Sequence, residues 1–387
     1  MHIAMVGCTA PSHVYPSLGV VKELVRRGHR VSYVVGEPLR DLVEPTGAEP
    51  VTHPSIFPLG QASWPEDPAT AQRVFLDEAI AVLPILTERY DDDRPDLILY
   101  DIGGLPAPVL AERYGVPVVQ LSPTLVAWEG YEEDMAEILE TVRASESGQS
   151  YERAFTAWLR ENGIERDVRE WQTFPEHVLS LIPRAMQPNA DRVPSSVRFV
   201  GPCLDPDRLA DTSWTPPSDG KRVLLVSFGT AYNDQLDVYR ACLEGFAGSD
   251  WHVVLAVGKH VDPADLGPLP AGFEVHRTVP QLAVLAAASA FVTHAGMGGC
   301  TESLWFGVPT VAIPQAVDQF GNAAILAELG VGEHLPAGEV TVESLRSAVD
   351  SVANSADVAA RLAEIKATVR SQGGVGHAAD AIESYLS

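Results

Sequence analysis

Apolar residues in this chain fall in short unbroken runs, each closed by a polar or glycine-rich turn and followed by a stretch with helical spacing. Residues 2–7 read as a buried strand. Residues 17–27 place Leu18, Val21, Leu24 and Val25 on one helical face that Gly28 closes, and residues 30–35 form another apolar strand. A further run at 95–101 ends in Asp101. Beyond residue 221 the alternation starts again, with runs at 223–227, 251–257, 273–275, 290–293 and 310–313. Strand, helix, strand in succession predicts parallel sheets joined by right-handed crossovers. The stretch between the two series, 206–220, is rich in Pro, Asp and Ser and reads as a linker. At 387 residues the chain exceeds one ordinary core, so two α/β domains are expected, 1–205 and 221–387.

The densest chemistry lies between residues 291 and 322. The run at 290–293 stops at His294, then Gly296, Gly298 and Gly299 fall within four positions, and a helix-compatible segment carries Glu302. This order builds a helix N-terminus with outward-facing amides that a phosphate can approach, because glycine puts no side chain in the way. No Lys or Arg lies between His294 and Glu302. A pyrophosphate here must be held by amides, the helix dipole and His294, not by a P-loop lysine. Alone, the glycines fit a plain strand-to-helix turn. Glu302 adds a carboxylate able to accept both hydroxyls of a ribose, as acidic residues do in dinucleotide folds. Asp318 and Gln319, after the next apolar run, form a second polar pair at the same sheet edge. The turn Ser227-Phe-Gly229-Thr230 also offers amides to a phosphate, and Val279-Pro-Gln281 precedes a helix and can edge a flat base.

In the first half, the loop after the first strand holds no G-x-G-x-x-G, which disfavours a standard NAD half. It does hold His13, at the carboxyl edge where doubly wound sheets place ligands. Asp101 ends a second strand at that edge. A carboxylate within hydrogen-bonding reach would keep one ring nitrogen of His13 protonated and leave the other as a base. A helix N-cap is the other use of Asp101. Residues 52–90 and 123–190 carry Phe57, Trp64, Phe75, Trp128, Tyr131, Trp158, Trp171 and Phe174, which either line an apolar pocket or pack in the core.

Charge narrows the partners. Lys and Arg number 27 against 52 Asp and Glu, a net charge of −25, which repels nucleic acid and anionic membranes. No apolar run reaches the roughly 18 residues of a membrane span, and the first residues lack a basic leader. Cys8, Cys203, Cys242 and Cys300 form no C-x-x-C pair, which speaks against a zinc site or a disulfide framework and suits a reducing cytoplasm. Asp205-Pro-Asp207 has D-x-D spacing but falls at the linker, so no metal site is expected.

These residues carry a resemblance across nearly the whole chain. His13-Val-Tyr-Pro-Ser, Tyr100-Asp101-Ile, residues 121–133, Val279-Pro-Gln281, His294-Ala-Gly-Met-Gly-Gly299 and residues 314–322 are similar to inverting, metal-independent nucleotide-sugar glycosyltransferases. The block at 121–133 resembles most the subgroup that glucosylates macrolide antibiotics. The resemblance implies the GT-B class, two Rossmann-like domains facing across a cleft, with the last helix packing back on the first domain. It implies His13 as catalytic base and Asp101 as its orienting partner. Ser227, Gly229 and Thr230 would meet the diphosphate, and Val279 and Gln281 would frame the base. His294, Gly296, Gly298 and Gly299 would hold the phosphates, Glu302 the ribose, and Asp318 with Gln319 the sugar hydroxyls. A UDP-sugar is then a co-substrate and no separate cofactor is implied; a homodimer is left open. The other readings are a UDP- or dTDP-sugar transferase acting on a flavonoid, polyketide or enediyne aglycone, and a sugar-nucleotide-binding protein without transfer activity. Two positions depart from the family: Ser12 stands where Gly often precedes the histidine, and Tyr15 replaces a small polar residue, which bears on acceptor geometry.

Overall fold

A computed structural model describes residues 1–58 and 64–386. The chain divides into two compact units, one made of Met1–Leu181, Asn189–Cys203 and the stretch from Gly373 onward, the other of Ile182–Pro188 and Leu204–Gln372.

The first unit is built on seven strands: β1 (His2–Val6), β2 (Arg30–Gly36), β3 (Glu49–His53), β4 (Leu97–Asp101), β5 (Val118–Ser122), β6 (Val178–Ser180) and β7 (Val197–Phe199). They lie in the order β3-β2-β1-β4-β5-β6-β7, every neighbour parallel. Side chains alternate across the sheet. Ile3, Met5, Leu97 and Leu99 pack with Leu18, Val21 and Leu24 of the helix Pro11–Arg26, while Ala4, Val6, Ile98 and Tyr100 pack with Leu76, Leu83, Leu86 and Phe155 on the other face. With both faces covered, the strands read as continuous apolar runs.

The second unit repeats the plan with β8 (Arg222–Ser227), β9 (Trp251–Ala256), β10 (Phe273–His276), β11 (Ala288–Thr293), β12 (Thr310–Ala312) and β13 (Gly332–His334), ordered β10-β9-β8-β11-β12-β13 and again all parallel. In each sheet the strand order reverses direction once beside the first strand, between β1 and β4 and between β8 and β11. The crevice at the carboxyl ends of such a pair is where open parallel sheets bind ligands.

The structure corrects the sequence reading at three places. The first helix starts at Pro11, not at residue 17, so His13 lies in its first turn and not in a loop. Pro11 occupies the first helical position, where a missing amide costs nothing. Pro16 forfeits only the bond to the carbonyl of exposed Ser12. Strands β3, β5, β6, β7 and β13 carry no clear apolar run; β3 is an edge strand with Pro50 inside it, as an edge permits. The segment read as a linker belongs to the second unit. Trp214 packs beside Val223, Leu225 and Phe291, and its Nε1 donates to Glu274 at 3.1 Å.

The helix Gly374–Glu383 is part of the first unit and buries Ala378, Ala379 and Ile382 in the core under β1. Arg27 fastens it, with Nη1 at 2.7 Å from Asp380 and 2.6 Å from Glu383, and Nη2 on the Gly376 carbonyl at 3.2 Å. His29 Nε2 adds a 2.9 Å contact to Glu383. Charge-assisted bonds of a mostly buried guanidinium contribute about 1–3 kcal/mol. Arg27→Met is therefore expected to lower unfolding free energy by about 1–2 kcal/mol, allowing for solvent screening at Asp380. Hydrogen exchange should quicken at 374–383 before the rest of the unit responds.

Candidate functional site

Each unit gathers its chemistry at its own switch point. In the first, β1 gives way through Cys8, Thr9 and Ala10 to the helix that holds His13, whose amide bonds the Ala10 carbonyl at 3.0 Å. Asp101 is the last residue of β4, the neighbour of β1. Its carboxylate is 1% exposed, and each oxygen lies 3.0 Å from His13 Nδ1. The Gly103 amide donates to the same carboxylate at 2.8 Å and fixes its plane. Glycine is required there, because a Cβ on residue 103 would lie 2.7 Å from the Phe75 ring and 2.9 Å from Cys8 Cβ. Burial of the imidazole opposes charge on it, but Asp101 and then Cys8 outweigh that penalty and raise the His13 pKa well above the usual 6.5. With Nδ1 holding a proton against Asp101, Nε2 is the nitrogen able to accept one.

Around this pair, Phe75 stands with its ring centroid 6.3 Å from that of His13, and Phe57, Trp64 and Phe75 pack at centroid separations of 4.9–5.8 Å. Of the aromatics singled out in the sequence, Phe75 adjoins the histidine, and Phe57 and Trp64 pack on Phe75. Trp158 is core, packed on Phe155, Trp171 packs against the same core, Trp128 and Tyr131 pair with each other, and Phe174 is exposed. Tyr15 packs partly buried against the core under β1. Sequence reading missed Glu78. Its carboxylate is buried and accepts from Thr9 Oγ1 (3.0 Å), Ser55 Oγ (2.6 Å) and the Ile56 amide (2.9 Å). It thereby ties the turn after β1 to the segment that presents Phe57. A carboxylate inside the apolar stripe Leu76, Ala79, Leu83 was the available signal.

In the second unit Ser227 and Thr293 are register partners at the ends of β8 and β11. His294 follows, its ring lodged against two glycines: a Cβ on Gly229 would come 2.7 Å from His294 Cε1, and one on Gly296 2.5 Å from Nε2. Burial pushes the imidazole down to about 4, with the Ser227 carbonyl opposing, so His294 is neutral at pH 7 and acts as a polar group without charge. Gly296 caps the helix Met297–Phe306, whose first turn carries no acidic residue. Gly298 is exposed with open space around its Cβ direction, Thr230 is exposed, and Gly299 packs beside Thr293 and Phe291.

Glu302, 7% exposed, accepts from Gln281 Nε2 at 2.6 Å and from Arg208 Nη2 at 3.1 Å. Gln281 and Glu302 are thus brought together directly. Val279 instead flanks the apolar cluster of Val223, Leu225 and Trp214. Two side-chain-bearing residues of this unit adopt left-handed backbone, Ala295 with φ 60° and Val317 with φ 44°, a costly conformation for a β-branched residue. Each is bolted from the helix Gln319–Glu328. Asn322 Nδ2 donates to the Ala295 carbonyl at 3.0 Å and to Asp318 Oδ2 at 2.9 Å, and Gln319 Oε1 receives the amides of Gln315 (2.8 Å) and Ala316 (3.1 Å). Asp318 faces solvent, while Gln319 is 3% exposed with its oxygen committed to its own loop.

Among the described residues one cluster has donor atoms close enough to share a cation: Cys8, His13 and Asp101, within 4.8 Å of one another. Its His13 and Asp101 atoms are engaged with each other, and burial pushes the Cys8 thiol up to about 11. Asp205 Oδ1 accepts the Asp207 amide at 2.9 Å, so the D-x-D spacing is that of a helix cap.

Comparison with known proteins places this geometry. Residues 240–377 match the family model described as erythromycin biosynthesis protein CIII-like, C-terminal domain. The chain is 46% identical over its whole length to oleandomycin glycosyltransferase of Streptomyces antibioticus, covering 91% of that protein, and 33% identical to the NDP-glycosyltransferase YjiC of Bacillus subtilis, covering 97% of it. Among solved structures, the kitacinnamycin glycosyltransferase superposes with a TM-score of 0.92 at 43% identity, and the calicheamicin glycosyltransferase CalG4 with 0.88 at 33%, each over all of this chain and 99% and 98% of theirs. These relatives match the chain from one end to the other, at up to 46% identity and with two parallel-sheet units superposing closely, and the chain belongs to the GT-B natural-product glycosyltransferases.

Proposed function

We propose that the protein moves a hexose, glucose in the leading reading, from a UDP-sugar to a hydroxyl of a bulky apolar acceptor, with inversion at the anomeric carbon and no resident metal. The observation that carries this reading is the His13–Asp101 pair, with both carboxylate oxygens 3.0 Å from Nδ1. A hydroxyl is a poor nucleophile at neutral pH, so a base must take its proton as it attacks. Here Nε2 of His13 accepts that proton while the hydroxyl oxygen bonds to the anomeric carbon. The bond from that carbon to the diphosphate breaks, and UDP leaves with the electron pair. Asp101 then faces an imidazolium, whose charge it offsets.

On the donor side the leaving diphosphate gains negative charge. Amides at the start of Met297–Phe306 and in the Gly229 turn supply fixed dipoles, which need no reorganisation during the reaction. Glu302 accepts the ribose hydroxyls, which favours UDP over dTDP, since a deoxyribose leaves a lone pair of the carboxylate unmatched. For the acceptor, Phe75 beside His13, with Phe57 and Trp64 packed on it, supports an apolar molecule, and the relative named for oleandomycin supports a macrolide. Another natural-product aglycone is the second reading, supported by the relatives named for kitacinnamycin and calicheamicin. A panel of acceptors incubated with UDP-glucose and read by mass spectrometry separates the two: a gain of one hexose on macrolides alone supports the first.

Four outcomes follow. His13→Ala should lower kcat by roughly 10²–10⁴-fold. Because only neutral His13 is a base and its pKa is raised, wild-type kcat/KM should climb with pH through a limb above 6.5; Asp101→Asn removes the charge that raises it, so the limb should move to lower pH while the plateau drops. Gly298→Ala, placed in open space on a helix, should keep or slightly raise stability by up to about 1 kcal/mol yet raise the donor KM, because its methyl intrudes where the phosphate approaches. Turnover should be unchanged in excess chelator; a loss restored by a divalent cation would overturn the metal-free mechanism.

A further inference from the structure

The loops that follow β8, β11 and β12 hold no cation. Residues 227–234, 279–287, 294–302 and 309–322 contain neither Lys nor Arg, and His294 is held neutral by burial. They do contain Glu302, a carboxylate almost wholly out of water, on the same short helix whose N-terminus would take a dianionic diphosphate. A buried anion beside a bound anion is costly unless something offsets it. The offset comes from outside these loops. Asp205 caps the one-turn helix Pro206–Leu209, and from that turn Arg208 reaches Glu302, Nη2 to Oε1 at 3.1 Å, on the carboxylate oxygen opposite to the one that Gln281 holds at 2.6 Å.

We propose that Arg208 is a donor-specificity residue: it neutralises and orients Glu302 so that one pocket can read a ribose through a carboxylate and still accept a nucleoside diphosphate. Each carboxylate oxygen takes about two hydrogen bonds. Gln281 and Arg208 use one on each oxygen, from two sides, and leave one on each, the arrangement that a vicinal diol fits. Arg208 is a positioning residue, since its bond is to Glu302 and not to reacting atoms. Its side chain is a third exposed, so its field is partly screened and the expected effect is modest. The inference rests on Glu302 lying in the donor site, as proposed above.

Calorimetric titration of UDP, 2′-deoxy-UDP and uridine tests it in five proteins: wild type, Arg208→Gln, Arg208→Lys, Glu302→Gln and the Arg208→Gln/Glu302→Gln double variant. Arg208→Gln should weaken UDP about tenfold, with uridine changed far less, because uridine carries no charge for the bared carboxylate to repel. Arg208→Lys should restore most of the UDP affinity. The double variant should recover the wild-type ratio of UDP to uridine binding, since both charges are gone. In turnover, Arg208→Gln should raise the donor KM and leave kcat near wild type. Equal losses for UDP and uridine, unchanged UDP binding, or a double variant with the sum of the single losses would overturn the role of Arg208. Wild-type preference for UDP over 2′-deoxy-UDP that survives in Glu302→Gln would instead overturn the ribose reading, and the UDP-to-uridine ratio of Arg208→Gln would still judge the charge argument separately.

Discussion

A parallel sheet can be extended only by bringing the chain back to the same end of the sheet, so every strand delivers its next loop to one edge. Where the order of strands turns from one direction to the other, two successive crossovers diverge, and the loops that follow them open a crevice that no helix fills. Both units obey this constraint. It brings residue 13 to residue 101, although 88 positions separate them, and it sets Ser227 beside Thr293. The identities of the loop residues then decide what each crevice does: an acid behind a histidine in one, small residues and amides in the other.

Electrostatics divides the work between them. The two histidines are driven to opposite protonation behaviour by their neighbours. His13 meets a buried carboxylate and is made more basic; His294 lies against two glycines, out of water, and is made less so. In a chain of net charge −25, long-range attraction cannot recruit an anionic donor, so recognition has to be short-ranged and dipolar. That explains why left-handed backbone is tolerated at Ala295 and Val317: the bolts from Asn322 and Gln319 hold loops whose exposed groups must not drift.

Much of this was legible in the residues. Strands buried on both faces advertise themselves as unbroken apolar runs, and their last polar residues, Asp101 and Ser227, mark the edge. His13 was legible as an edge residue but not as a helical one, because Pro11 and Pro16 read as breakers when they are in fact near a helix start. Partnerships across elements were hidden. Nothing in the spacing of Gln281 and Glu302 says that they bond, nor that Arg208, in a stretch that reads as a linker, completes the set. Nor does the sequence say that the turn after β12 takes the oxygen of Gln319 as an acceptor. Strand β3 was hidden by its proline and by its place at the edge, where one face of the pattern is relaxed.

The Arg27 clasp on the final helix has a consequence for how the molecule comes into being. The first unit is assembled from segments that precede and follow the second in sequence, with its core beneath β1 completed by Ala378, Ala379 and Ile382. During synthesis that apolar surface waits uncovered while nearly the whole second unit is translated, and it is sealed only when residues 374–383 emerge. A nascent chain therefore carries that half-finished face until the second unit is made, and a chain cut off before Ala378 would hold a complete second unit and a first one that cannot close.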